Sequence, residues 1–408
     1  MKLLIAIPAL NEEDSIEQII QRSLDARPII MEKAKLDGVD ITVISDGSTD
    51  RTVELASKYL NRIKLIVFKQ NKGYGAAIKT AWQESDADIL GFIDADGTCD
   101  PLFFGNLCQA MFQMKSDIVL GSRMNKKSGM PAIRRLGNLI FALMLSLFSS
   151  KKVRDTASGM RIIHRRCLPN LMPLPDGLHF TPAMSARAIL SSDISISEIE
   201  MPYHEREGKS KLHALRDGIR FMKVILATAF LYRPARGLML IGAFCLLIGS
   251  LLMIMPAAYY FSHRKVLEWM IYRFIVSDLL GIAAMLFFCF AYLSSKIVDL
   301  TLTKTGIFGR ANSLLSKLFN MKSFWILPIT FMLMGGLLVM PSFVQLMKTG
   351  MTNEHWSRFI VMSFLFSISF ILIVTRLLNY SLHLIAARLN YLRSEEYSNL
   401  LKGTDLGK

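Results

Sequence analysis

A chain of 408 residues has room for two or three domains, but 52% hydrophobic residues and 24 methionines are high for a soluble enzyme and argue against a wholly soluble protein. The formal net charge of +15 would suit a polyanion. No aromatic-basic nucleic-acid motif accompanies it, however, and much of the excess lies near long apolar segments, which points to an anionic membrane and away from nucleic acid. Residues 1 to about 230 mix charges with short apolar runs, and the remainder is dominated by long ones.

In chain order, "MKLLIAIPALNEEDS" begins with a short apolar run that ends in acids and lacks a small-residue cleavage site, so it reads as a first strand and not as a secretory leader. Further strand-like runs follow at "ITVISD", "KLIVF", "ILGFIDAD" and "IVLGS". They are separated by helix-like stretches such as "SIEQIIQRSLDA", "TVELASKYL" and "GAAIKTAWQE". The alternation predicts an α/β domain with a mainly parallel sheet, whose ligands gather at the strands' carboxyl ends. Polar residues recur at those ends: Asn11 and Glu12, Asp46, Asn71, Asp94 and Asp96, and Ser122 and Arg123. In "SDGSTD", Asp46 is expected to accept from a base or ribose, while Ser48, Thr49 and Asp50 read as a turn and helix cap. "NKGYGAA" lacks the third glycine of a dinucleotide fingerprint and the Lys-Ser/Thr of a P-loop, and supports a tight turn near a nucleotide.

"GFIDADGTCDP" admits two chemistries. Asp-x-Asp-Gly-Thr after an apolar strand opens the haloacid-dehalogenase-type phosphatase site. The same two acids, on alternate residues of a strand, can also share a divalent cation that carries a diphosphate. The phosphatase reading needs a downstream acidic pair, Asp-Asp or Gly-Asp-x-x-x-Asp, which the chain lacks, and it prefers the motif on a first strand and not a fourth.

Beyond the strands, "SKLHALRDGIRFMKVILATAFLY" spaces apolar residues helically between Lys211, Arg216, Arg220 and Lys223 and reads as interfacial helices over 211–235. Four segments of about 20 residues, near 238–261, 272–294, 324–347 and 359–384, are long enough to cross a bilayer. Trp269, Trp325 and Trp356 stand at or just before the start of three of them, at interfacial positions. The connection between the second and third carries Lys296, Lys304, Arg310, Lys317 and Lys322 against Asp299 alone, which predicts that it, the soluble half and both termini are cytoplasmic, with 387–408 a tail. Asp278 and Arg376 lie near span ends and are expected to be structural. The five cysteines show no Cys-x-x-Cys or zinc spacing and read as reduced core fillers.

"IPALNEEDSI", "SDGSTDRT", "NKGYGAA", "DADGTCDP", "GSR", "DTASGMR" and "MPYHEREGKSKL", in this order and before membrane helices, resemble family 2 glycosyltransferases of the GT-A fold. More narrowly they are similar to the polyprenyl-phosphate glycosyltransferases, the group containing dolichol-phosphate mannose synthase. The resemblance implies a cytoplasmic GT-A domain over 1–210, juxtamembrane helices over 211–235 and a four-helix membrane region over 236–386. It implies that Asp94 and Asp96 hold Mg2+ or Mn2+ on the donor diphosphate, and that Pro8, Ala9, Asn11, Glu12 and Asp46 hold the nucleoside. It places Arg123, Arg134, Arg206 and Lys211 in phosphate-contacting stretches, with Asn138 one helical turn after Arg134 on the same face. Asp155 matches an acid near the acceptor, expected to orient the acceptor or a sugar hydroxyl, to act as a base, or to pair with Arg161. Two departures stand out: Ser45-Asp46-Gly47-Ser48 where relatives often have Asp-Asp-Gly-Ser, and Phe180-Thr181 where they often have Phe-Glu.

The implied reaction is an inverting transfer of sugar from a UDP- or GDP-sugar to a polyprenyl phosphate in the inner membrane. The acceptor's second pKa of about 6 leaves it largely an oxyanion at neutral pH, so electrostatics and alignment matter more than a general base. Two other readings are weaker. A processive polysaccharide synthase would carry Gln-x-x-Arg-Trp, yet none of the four tryptophans follows an arginine. A non-enzymatic flippase or scaffold would be expected to have lost Asp94 or Asp96. Homo-oligomers would suit the membrane helices.

Overall fold

The structure, a computed structural model, describes residues 1–125, 128–149, 151–203, 214–302, 314–352 and 355–392. The chain divides into two compact units, Met1–Tyr232 and Arg233–Lys408.

Unit 1 is built on seven strands: β1 (Lys2–Ala9), β2 (Gly38–Ser45), β3 (Lys64–Val67), β4 (Ile89–Phe92), β5 (Ile118–Ser122), β6 (Arg161–His164) and β7 (Ile196–Glu200). Their order is β3-β2-β1-β4-β6-β5-β7. Strands β1 to β4 pair in parallel, β6 runs antiparallel between β4 and β5, and β7 adds in parallel to β5. The expected mainly parallel α/β sheet is present, with two strands more than the five expected. Strand β6 is only four residues long and β7 is a half-buried edge, so neither carries a strong apolar pattern.

The helices of unit 1 are α1 (Ile16–Ala34), α2 (Thr52–Ser57), α3 (Tyr74–Gln83), α4 (Phe103–Gln113), α5 (Ala132–Phe148), α6 (Leu168–Leu171), α7 (Phe180–Leu190) and α8 (Ala214–Tyr232). Alternate residues of β1 feed two cores: Leu3, Ile5 and Ile7 join α1 and α4 on one face, and Leu4 and Ala6 join α3 and α7 on the other. A third cluster joins α5, α7 and α8 through Phe141, Leu145, Ile189, Phe221 and Ile225. Where described, the expected separate segment 211–235 is therefore part of unit 1 as far as Tyr232, because α8 buries its apolar stripe against α5 and α7.

Parallel strand order sets the site. The chain steps from β1 outward to β2 and β3, then crosses back to β4 on the other side of β1. β1 and β4 are therefore neighbouring parallel strands, and the loops that follow them emerge side by side at the carboxyl edge of the sheet. Pro8 is tolerated in a strand paired on both sides because Ala6 and Pro8 face β4, whose ladder ends at Ala6 opposite Phe92.

Unit 2 contains α9 (Pro234–His263), α10 (Ile271–Leu302), α11 (Leu314–Asn320), α12 (Ile326–Thr349) and α13 (Trp356–Leu392). Four of these helices are long and apolar enough to cross a membrane, and they fall on the four expected segments. Within the unit, Tyr292 Oη and Lys296 Nζ donate to Asn379 Oδ1 at 2.9 and 2.5 Å, tying α10 to α13. Arg376 sits over the Phe324 ring at 5.7 Å, while Asp278 Oδ1 is buried without a hydrogen-bond partner among the described residues. All five cysteines are free, and all but Cys245 are buried.

Candidate active site

One cavity of about 530 Å³ in unit 1 collects most of the expected residues. Pro8, Ala9, Glu12, Asp46, Asn71, Asp94, Asp96, Arg123, Arg134 and Asn138 line it. Asn11 and Asp155 are absent from its lining, and Arg206, Lys211 and the tail from 393 lie outside the described residues.

At the β1 and β2 ends, loop joins loop. Asn11 adopts a left-handed φ of 49° and its Oδ1 accepts from the Thr49 N–H at 2.8 Å, while Glu12 N–H donates to Thr52 Oγ1 at 2.9 Å. Asn11 thus braces "SDGSTD" against the start of α1. Asp50 Oδ1 accepts from the Thr52 N–H at 3.0 Å in the same junction. Asp46 is 3% exposed, and its carboxylate receives the N–H groups of Lys72 (2.7 Å) and Gly73 (3.0 Å). Burial raises its pKa, and those two amides offset part of the rise. Gly73 is required where it stands: φ is 108°, and a Cβ would lie 2.4 Å from the Asp176 carbonyl oxygen.

The two acids arrive differently from the expectation. β4 ends at Phe92, so Asp94 and Asp96 occupy the following loop and do not alternate along a strand. Both nevertheless line one cavity; the loop turns just after them at Gly97 (φ 73°), and Asp96 Oδ1 accepts from Thr98 Oγ1 at 2.7 Å. Asp94 Oδ1 accepts from Tyr74 Oη at 2.7 Å. Among the described residues no group of three or more His, Cys, Asp or Glu gathers as a self-sufficient metal site. Two hard carboxylates on a cavity wall suit a cation such as Mg2+ or Mn2+, which takes one or two carboxylates and completes its shell with water and substrate phosphates.

Arg123 and Asp155 form a buried, doubly bonded pair. Arg123 Nε donates to Asp155 Oδ2 at 2.7 Å and Nη2 to Oδ1 at 2.8 Å, the Arg123 N–H adds 3.0 Å, and Asn138 Nδ2 donates to Oδ1 at 3.0 Å. Asp155 is fully buried. Burial alone would push its carboxyl up, yet the Arg123 guanidinium overcomes this and holds it below the ordinary range. Its partner is Arg123 and not Arg161, whose guanidinium donates instead to the carbonyls of Ser158 and Thr181 and to Ser185 Oγ. Both Asp155 oxygens are engaged, and the carboxylate fixes the side chains of Arg123 and Asn138. Arg123 also lies 5.4 Å over the Tyr203 ring, which shares the cavity wall.

The far wall comes from α5 and α8, through Ile133, Gly137, Phe141, Gly218, Arg220 and Phe221. Opposite its buried Asn138, Phe141, Leu145 and Phe148, α5 exposes Leu136 (57%), Ile140, Leu143 (64%) and Leu147. Helix α8 exposes Ile219, Met222, Leu226 and Phe230. An apolar surface of this kind marks an interaction face. Its α5 half was readable as the uncharged run "LGNLIFALMLSLF" after Arg134-Arg135, and was missed; so were Tyr74, Gly159 and Tyr203, whose roles depend on neighbours remote in sequence.

Residues 4–171 match the model of glycosyl transferase family 2. The chain carries a family 2 glycosyltransferase domain. It is 30% identical over 257 residues to the low-salt glycan biosynthesis hexosyltransferase Agl6 of Haloferax volcanii, a match that covers 60% of this chain and 59% of that relative. It is 29% identical over 233 residues to the dolichyl-phosphate hexose transferase of the same organism, covering 55% of this chain and 92% of the relative. The structure of glucosyl-3-phosphoglycerate synthase from Mycobacterium tuberculosis in complex with phosphoglyceric acid compares at TM-score 0.45 and 20% identity, over 56% of this chain and 80% of that one. The glycosyltransferase domain thus occupies the part of unit 1 that holds β1 to β6, and α7, β7 and α8 complete the cavity outside the matched range.

Proposed function

We propose that this glycosyltransferase moves a sugar, with inversion, from a nucleotide-diphosphate sugar to a polyprenyl phosphate at the cytoplasmic membrane face. The observation that carries this reading is the single cavity walled by Asp94 and Asp96, by Arg123, Arg134 and Asn138, and by the two helices that expose apolar side chains. The similarity to the dolichyl-phosphate hexose transferase supports the acceptor class, and the Lys/Arg-rich connection between the second and third apolar helices supports the cytoplasmic side.

In this reading Pro8, Ala9, Glu12, Asp46 and Asn71 frame the nucleoside, with Asn11 and Asp46 holding the loops that shape it. Asp94 and Asp96 hold the divalent cation. Bound there, Mg2+ or Mn2+ would offset the diphosphate charge and stabilise the leaving nucleoside diphosphate. Arg123 and Asn138, aimed by Asp155, meet the acceptor phosphate together with Arg134. The acceptor oxyanion attacks the anomeric carbon as the bond to the diphosphate breaks. No side chain need remove a proton, because much of the phosphate is already dianionic at neutral pH. Asp155 is a positioning residue here.

The test is transfer of radiolabel from a panel of UDP- and GDP-sugars to polyprenyl phosphate by purified protein with Mn2+. Lipid-extractable label from one donor is expected, and it should be chased out by the matching nucleoside diphosphate. Label from none, with folded protein and authentic acceptor, refutes the reading.

The α5 surface makes a separate prediction. Leu136→Glu with Leu143→Glu puts two charges on the exposed apolar face without touching the cavity lining. Transfer to a long-chain polyprenyl phosphate in vesicles should fall about 100-fold, in line with losing about 3 kcal/mol from the burial of two leucines. Nucleotide affinity should stay unchanged. Equal transfer by variant and wild type would show that this face does not serve the lipid.

A further inference from the structure

The stretch Asn71-Lys72-Gly73-Tyr74-Gly75 does more than close a turn. Tyr74 is the first residue of α3, and its ring packs edge-on to Phe92 and Phe180, with centroids 6.3 Å from each. This packing holds the phenol at one place on the cavity wall, where its Oη donates to Asp94 Oδ1 at 2.7 Å. The other carboxylate oxygen is backed by Gly159: a Cβ there would lie 1.8 Å from Asp94 Oδ2. One oxygen is gripped and the other is walled, so the carboxylate has little freedom to turn.

The same helical turn reaches the rest of the donor side. Lys72 and Gly73 give their N–H groups to the Asp46 carboxylate, and Gly75 and Ala76 give theirs to the Asp176 carbonyl at 2.6 and 3.1 Å. A shift of this turn would move the loop after β2, the loop before α7 and Asp94 together.

We propose that Tyr74 is a positioning residue that fixes Asp94 in the orientation needed to coordinate the donor's divalent cation, with Gly159 as the opposing stop. The proposal rests on the reading of Asp94 as a metal ligand. A carboxylate has about four lone-pair sites, so the phenol can occupy one and leave coordination to others. The competing explanation is that Tyr74 merely fills space between Phe92 and Phe180. In that case its hydroxyl is dispensable, because phenylalanine would fill the same volume.

The experiment uses the full chain in nanodiscs and reads Mn2+ binding by EPR in the presence of UDP and, separately, of GDP. Wild type, Tyr74→Phe and Gly159→Ala are compared, with metal-free nucleotide affinity as the check on fold. Tyr74→Phe is expected to weaken Mn2+ binding by about 10- to 100-fold, as losing a partner that orients a ligand does. Excess Mn2+ should restore its turnover, so that the KM for metal rises while kcat recovers. Gly159→Ala should weaken Mn2+ binding in the same direction. If Tyr74→Phe binds Mn2+ as tightly as wild type, Tyr74 is only a packing residue and the proposal is overturned, whatever becomes of Asp94. If wild type binds nucleotide but retains no Mn2+ with either, Asp94 is not a metal ligand and the underlying reading falls with the proposal.

Discussion

Asp94→Asn is expected to reduce sugar transfer by about 100- to 1,000-fold, the usual cost of removing one preorganised electrostatic stabiliser from an active site. Asparagine matches the shape of aspartate, and its carbonyl can still accept from Tyr74 Oη, so the loop and the aromatic cluster of Phe92, Phe180 and Trp82 should remain intact. What is lost is the negative charge that would hold the cation against the diphosphate. The thermal midpoint should scarcely change, and rate against Mn2+ concentration should show a displaced or vanished saturation. Asp96→Asn should behave alike, with a small added cost because Asp96 Oδ1 also accepts from the Thr98 N–H and Oγ1. Wild-type turnover by either variant at ordinary Mn2+ would remove the carboxylate pair from the mechanism.

Asp155→Ala should be the most damaging change for stability. Asp155 is fully buried and Arg123 nearly so, and deleting the acid strands a guanidinium in the interior. Breaking such a pair from one side costs about 3–5 kcal/mol. For a unit of this size that lowers the melting midpoint by on the order of 10 °C. Replacing both partners with apolar residues, as in Arg123→Met with Asp155→Leu, should recover much of the loss, because no unpaired charge remains. It should not recover transfer, since the cation facing the acceptor phosphate is gone. A double variant that is both stable and active would show the pair to be structural only.

The sign of the pH dependence follows from the direction of the Asp155 shift. Its folded-state pKa lies below the ordinary value of 3.8, so the proton binds more tightly to the unfolded chain. The pair's contribution is therefore complete above about pH 5 and disappears as pH falls through about 4 and below. Melting curves of wild type and Asp155→Asn should converge in that acidic window and stand furthest apart near neutrality. Convergence at alkaline pH instead would contradict the assignment of charge.

By itself the sequence determined what depends on local pattern. Alternating apolar runs and helical stretches specify a parallel α/β unit, because a strand's and a helix's burial periodicities are written in consecutive residues. Four long apolar stretches specify membrane helices by length alone. Strand-end residues such as Asp46, Asn71, Asp94, Asp96 and Arg123 are legible as one site because parallel strands deliver their carboxyl ends to the same edge. Tertiary structure alone decided who partners whom. Asp155 meets Arg123 across 32 positions and not Arg161 six residues away, and Tyr74 meets Asp94 across 20. The antiparallel insertion of β6 between β4 and β5, and the return of α8 onto α5, likewise depend on contacts between distant segments. Hydrogen bonds and side-chain packing act over a few ångströms in space whatever the separation along the chain, so a side chain's partner emerges only once the sheet order has been set.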